Sequence, residues 1–88
     1  MWVVGQDKIS VANVDALAID PRDVIMLQDK DVTKRPKVIR VWGHTADHDC
    51  VMGAYKQLDT AKGVLEQFME SIEQKYTKFE MPEDLEVA

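Results

Sequence analysis

The chain has 88 residues, enough for one domain, and its apolar share of 45% is that of an ordinary globular protein. It carries 11 basic against 16 acidic residues, a net charge of −5, which argues against a general nucleic-acid binder built on excess Lys and Arg. One cysteine cannot close an internal disulfide, no apolar run approaches the length of a bilayer span, and the opening "MWVVGQDK" lacks the basic start and long apolar stretch of a secretory signal, so a cytoplasmic protein with no membrane segment is expected.

In chain order, "MWVV" is rich in strand formers and "GQDK" after it is a turn signal, so "ISV" is expected to pair back on the first strand. "NVDALAID" alternates, with Val14, Ala16 and Ala18 pointing one way and Leu17 and Ile19 the other, and is expected to run as a strand up to the turn "DPRD". Asp20 and Asp23 are read as solvated turn residues. "VIMLQ" is read as a nearly continuous apolar strand, and "DKDVTKRP" as a polar loop ending at Pro36.

"KVIRVWG" predicts a strand with Val38, Arg40 and Trp42 on one face and Ile39 and Val41 on the other. "CVMGAYK" predicts the next strand, in which Gly53 marks a bulge or a close backbone approach. The last element is a helix, expected over about 59–78 with Asp59 as N-cap. Ala61, Val64, Leu65, Phe68, Met69, Ile72 and Tyr76 recur at helical spacing and form one apolar stripe, with Gly63 on the far side. Glu66, Glu70 and Glu73 lie along an edge away from that stripe.

An amphipathic helix must lay its stripe on an apolar surface, and the inner face of the strands is the surface available. Strands first and a helix last give an α+β domain: a curved antiparallel sheet of about five to six strands packed by one C-terminal helix. The domain is expected to occupy residues 1–80, with 81–88, from "MPEDLEVA", as an acidic and poorly ordered tail.

The opening "MWVVGQDK", the segment "VANVDALAI" and the close "MGAYKQLDTAKGVLEQFMESI" resemble small proteins of Gram-positive bacteria and their phages or prophages. The resemblance implies a β-meander followed by an amphipathic helix and a mobile-element origin. It brings no catalytic residue to carry over.

"GHTADHDC" gathers His44, His48, Asp49 and Cys50, which between them offer the imidazole, thiolate and carboxylate ligands that zinc accepts. Only half of a familiar zinc signature is present, the pair His44 and His48. If residues 45–48 form the loop of a hairpin, His44 faces Asp49 and Trp42 faces Val51, an arrangement that favours a His–Asp hydrogen bond over a metal cage. Cys50 with a histidine base is a weak constellation for acyl transfer, since nothing else marks an oxyanion site. The four glycines are scattered and make no phosphate loop. No enzyme and no cofactor is implied.

The remaining signals are surfaces. Residues 29–40 are basic, with Lys30, Lys34, Arg35, Lys37 and Arg40, while residues 66–88 are acidic. Trp2 and Trp42 are the aromatic candidates for an interface, each open between that role and the core. The expectation is an accessory protein that acts by protein–protein binding, with a homodimer among its partners. On that reading Glu66, Glu70 and Glu73 would compete for a basic surface. Two alternatives stay open. One is an oligomer that binds a small anionic ligand such as a nucleotide through Arg40, Lys37 and Trp42. The other is a metal-dependent site at His44, His48 and Cys50.

Overall fold

The computed structural model describes residues 1–84. Its first strand, β1 (Trp2–Val4), buries Val3 completely and turns Trp2 outward. The turn after it is set by Asp7, whose carboxylate accepts from the amides of Ile9 and Ser10 at 2.9 Å, with Lys8 in the left-handed region at φ 62°. Strand β2 (Val11–Asn13) returns antiparallel to β1.

The expected single strand over "NVDALAID" divides at Val14 and Asp15. The Val14 amide still donates to Met1 in the first sheet, whereas the Asp15 amide donates to His44 in a second one. Alternation has the same period on both sides of such a corner, so the pattern alone could not place the break. Strand β3 (Ala16–Ile19) then pairs antiparallel with β4 (Ile39–His44), which pairs antiparallel with β5 (Asp49–Tyr55).

"VIMLQ" is not a strand. Helix α1 (Pro21–Met26) begins at Asp20, whose side chain accepts from the Arg22 amide, and Pro21 occupies the first turn. An Asp N-cap followed by Pro is a helix start as much as a turn, and here the capping decided over the apolar run. One turn of 3-10 helix, Val32–Lys34, sits within the polar connection and is capped by Asp31.

Helix α2 (Leu58–Glu73) is shorter than expected at its C-terminus, and its N-cap is Gln57 rather than Asp59, which lies in the first turn. There its charge complements the helix dipole. The helix closes with the Lys75 amide bonded to Ile72 and the Tyr76 amide to Ser71, Lys75 itself being left-handed at φ 61°. This is the Schellman arrangement, which turns the chain out of the helix. The chain then forms β6 (Lys78–Glu80), which pairs parallel to β1.

The architecture is therefore α+β with two three-stranded sheets, ordered β2-β1-β6 and β3-β4-β5, in place of one sheet of five to six strands. The core joins Val3, Val14, Ile39, Val41, Met52, Tyr55, Ala61, Val64, Phe68, Phe79 and Met81. Phe68 of α2 meets Phe79 of β6 edge to face, with ring centres 5.4 Å apart. Met52 is the extra residue of a bulge opposite Val41 and Trp42, so Met52 and Gly53 both face the core. A Cβ on Gly53 would sit 3.1 Å from Met81 and 3.2 Å from Tyr55, the close approach that its position in the strand implied.

Packing continues past residue 80. Met81 is buried, the Tyr55 hydroxyl donates to the Pro82 carbonyl at 2.7 Å, and the Lys56 amide donates to Asp84 at 3.0 Å. The rest of the expected tail, 85–88, lies outside the described residues. No helix among the described residues is long and apolar enough to cross a membrane.

Candidate functional site

Two surfaces gather the residues singled out in the sequence. The first is the outer face of the β3-β4-β5 sheet. Register puts Ala18 beside Trp42 and Ala16 beside His44, with Val51 and Asp49 across on β5. Beside them Asp20 and Asp23 are only 2% and 6% exposed. They are not solvated turn residues, because the start of α1 folds back over this face and presents them to two arginines.

Asp23 accepts from the Arg40 backbone amide, Nε and Nη2, each at 3.0 Å. Asp20 accepts from Arg22 through its backbone amide and guanidinium and from the Trp42 indole Nε1–H at 3.1 Å, and it forms an ion pair with Arg40, whose Nη2 lies 3.0 Å away. Two carboxylates thus face two guanidinium groups, and burial is offset by paired charge. The hydrogen bonds from Arg22 hold the Asp20 carboxyl well below the usual carboxylate range, and those from Arg40 lower Asp23 likewise. Trp42 is outside the buried core, but its indole is fixed in orientation.

A shallow depression of about 340 Å³ lies here, between Pro21, Ala18 and Trp42 with the His44–Asp49 pair at its rim. Lys37 is exposed and does not line it, and neither does Arg40. Arg40, Lys37 and Trp42 therefore do not converge on one cavity, and the charge of Arg40 is matched by Asp20 and Asp23.

The hairpin tip has the predicted geometry. His44 pairs across to Asp49, with Nδ1 and Oδ1 2.7 Å apart, and Trp42 pairs with Val51. His48 is held at the loop, its carbonyl accepting from the Thr45 hydroxyl at 2.7 Å. Cys50 turns inward, with its sulfur 3.4 Å from that of Met52. Neighbouring strand positions point to opposite faces, so His44, His48 and Cys50 are not brought together. Among the described residues no three His, Cys, Asp or Glu side chains group as metal ligands.

The second surface is the C-terminal half of α2 and what lies beside it. Ala61, Val64 and Phe68 are buried as the stripe requires, but its continuation emerges into solvent: Met69 is 58% exposed, Ile72 46% and Tyr76 63%. The three-stranded sheets are too short to cover the last turns. The Schellman turn brings Tyr76 next to β1, where the Trp2 amide donates to the Thr77 carbonyl at 3.0 Å. Trp2, 53% exposed, then joins Ile72, Tyr76, Phe68, Val14 and Asp15 around an open groove of about 520 Å³. Neither tryptophan belongs to the buried core.

On the adjoining flank, Leu65 and Met69 lie among Glu66, Glu70 and Glu73, all three of which are exposed. Neither the groove nor this flank is lined by a lysine or arginine side chain. That Trp2 and Tyr76 border one groove was not legible in the sequence, because it depends on a parallel strand whose Lys78 pairs with Trp2 from 76 residues further along the chain. The groove is thus open and bordered by exposed aromatic side chains, with the Met1 amino terminus and Asp15 at its edge. Comparison of the chain with protein-family models, with curated proteins and with solved structures finds no match.

Proposed function

We propose that this chain is a small accessory protein of the phage or prophage type that acts by binding another protein. The observation that supports this reading is the exposed apolar strip Trp2, Met69, Ile72 and Tyr76, fringed by Asp15, Glu66, Glu70 and Glu73. Apolar anchors supply affinity, and a rim in which carboxylates predominate selects the partner and speeds encounter. The complementary partner is a protein segment that carries an apolar or aromatic anchor flanked by Lys and Arg.

The test places a photo-crosslinking residue at Met69 in the native host and repeats the capture with Glu66, Glu70 and Glu73 all changed to Gln. The expected outcome is one dominant partner with a basic contact surface, lost in the neutralised variant and weakened by salt. A partner retained equally by the variant at every salt concentration overturns the charge argument. No capture from position 69 while a crosslinker on the opposite sheet face succeeds overturns the choice of surface.

A further inference from the structure

The two edges of the β3-β4-β5 sheet are treated differently. The β5 edge is occupied: Met52 accepts from the Gln6 amide at 2.8 Å, the Ala54 amide donates to Gln6 Oε1 at 2.8 Å, and the Lys56 amide donates to Asp84. The β3 edge has no such cover among the described residues. Its sequence Ala-Leu-Ala-Ile contains neither charge nor proline, two of the devices that ordinarily guard an edge.

The direction of the β3 backbone groups follows from its neighbours. At the hairpin the Thr45 amide donates to the His48 carbonyl, so odd-numbered residues near that end of β4 turn their backbone groups toward β5. The even-numbered residues turn toward β3, in agreement with Arg40, whose carbonyl accepts from the Asp20 amide. In register, Ala16 and Ala18 bond to His44 and Trp42. The backbone groups of Leu17 and Ile19 consequently point away from the sheet.

We infer that β3 pairs antiparallel with β3 of a second copy, joining two three-stranded sheets into one of six across a two-fold axis at Ala18. The backbone parity allows it: Leu17 of each copy meets Ile19 of the other, and every donor finds an acceptor. The side chains agree with it, since Ala18 faces Ala18 and no like charges are opposed within the strand. At the ends, the exposed Asp15 comes opposite Pro21 of the second copy, next to Arg22, whose side chain is largely exposed. The inference rests on the β3 edge and not on the groove proposed above, and Asp15 is the residue the two share, so Ala18→Lys, which lies outside the groove, is the variant that separates them.

The test is native mass spectrometry and light scattering on the full chain, with hydrogen exchange read at Leu17 and Ile19. The wild type is expected at twice its 10.0 kDa monomer mass, with both amides protected in proportion to the dimer population. Ala18→Lys, which sets two ammonium groups face to face, is expected to weaken the dimer at least about tenfold. Asp15→Arg is expected to weaken it in a salt-dependent manner. A wild-type chain that stays monomeric at millimolar concentration overturns the inference, and so does a dimer in which Leu17 and Ile19 exchange freely. If Ala18→Lys fails to fold by circular dichroism, exchange in the wild type decides.

Discussion

Asp23 and Arg40 lie 17 residues apart and are joined by three hydrogen bonds, one of them to the Arg40 backbone amide. The contact fastens α1 to β4 and closes the long connection between β3 and β4. It also uses a backbone donor that continues the β3 side of β4 beyond the end of β3.

Removing Asp23 strands that donor and leaves Arg40 with only Asp20. Asp23→Ala is expected to cost about 2 kcal/mol, below the loss for a fully buried pair because the Arg40 side chain is partly exposed. Asp23→Asn retains an acceptor and should cost less. Urea unfolding of both variants checks the order.

Two glycines should respond in opposite directions. Nothing lies within 4 Å of a Cβ placed on Gly63, in the interior of α2, so Gly63→Ala is expected to stabilise by about 0.5–1 kcal/mol. A Cβ on Gly43 would lie 2.7 Å from Met52 Cγ and 3.1 Å from Val14, so Gly43→Ala should destabilise by about 1–3 kcal/mol. Thermal unfolding of the two single variants separates them.

Lys75 holds the left-handed position of the Schellman turn at φ 61°, where a side chain is strained. Lys75→Gly is expected to stabilise by about 0.5–1 kcal/mol without altering partner capture, because the backbone path to Tyr76 and Trp2 is kept. A loss of capture in this variant would show that Lys75 itself contacts the partner.

Asp20 and Asp23 have folded-state values below the ordinary 3.8. Their contribution to stability is therefore fully present above that value and is lost as pH falls through the lower folded values. The melting temperature is expected to hold down to about pH 5 and to drop below about pH 4, more shallowly in Asp23→Asn. Melting curves across that range check the slope.

Tyr55 behaves in the opposite sense. Burial, with the charge of Asp84 behind it, raises its phenol from 10.0 to about 12. Its contribution is present below the ordinary value and is lost as pH rises through the folded one, so alkaline unfolding should accompany tyrosinate formation. Tyr55→Phe is expected to remove that coupling and to cost about 1 kcal/mol at neutral pH through the lost bond to Pro82. Absorbance and circular dichroism recorded in one alkaline titration test it.

Whatever depends on short spacing was readable from the residues alone. This holds for the strand faces of Ile39, Val41 and Trp42, the hairpin pairing of His44 with Asp49, the close approach at Gly53 and the inner stripe of α2. Each follows from a period of two or 3.6, or from one loop length, and none needs knowledge of a distant segment. Tertiary structure decided the rest. Whether Asp23 faces solvent depended on its finding Arg40 across the connection. Whether Asp20 is solvated depended on Trp42 and two arginines meeting it. The division into two sheets depended on β6 returning beside β1, and with it the placing of Tyr76 against Trp2. These are long-range pairings whose loop-closure entropy is repaid only by the assembled core, so no local pattern encodes them.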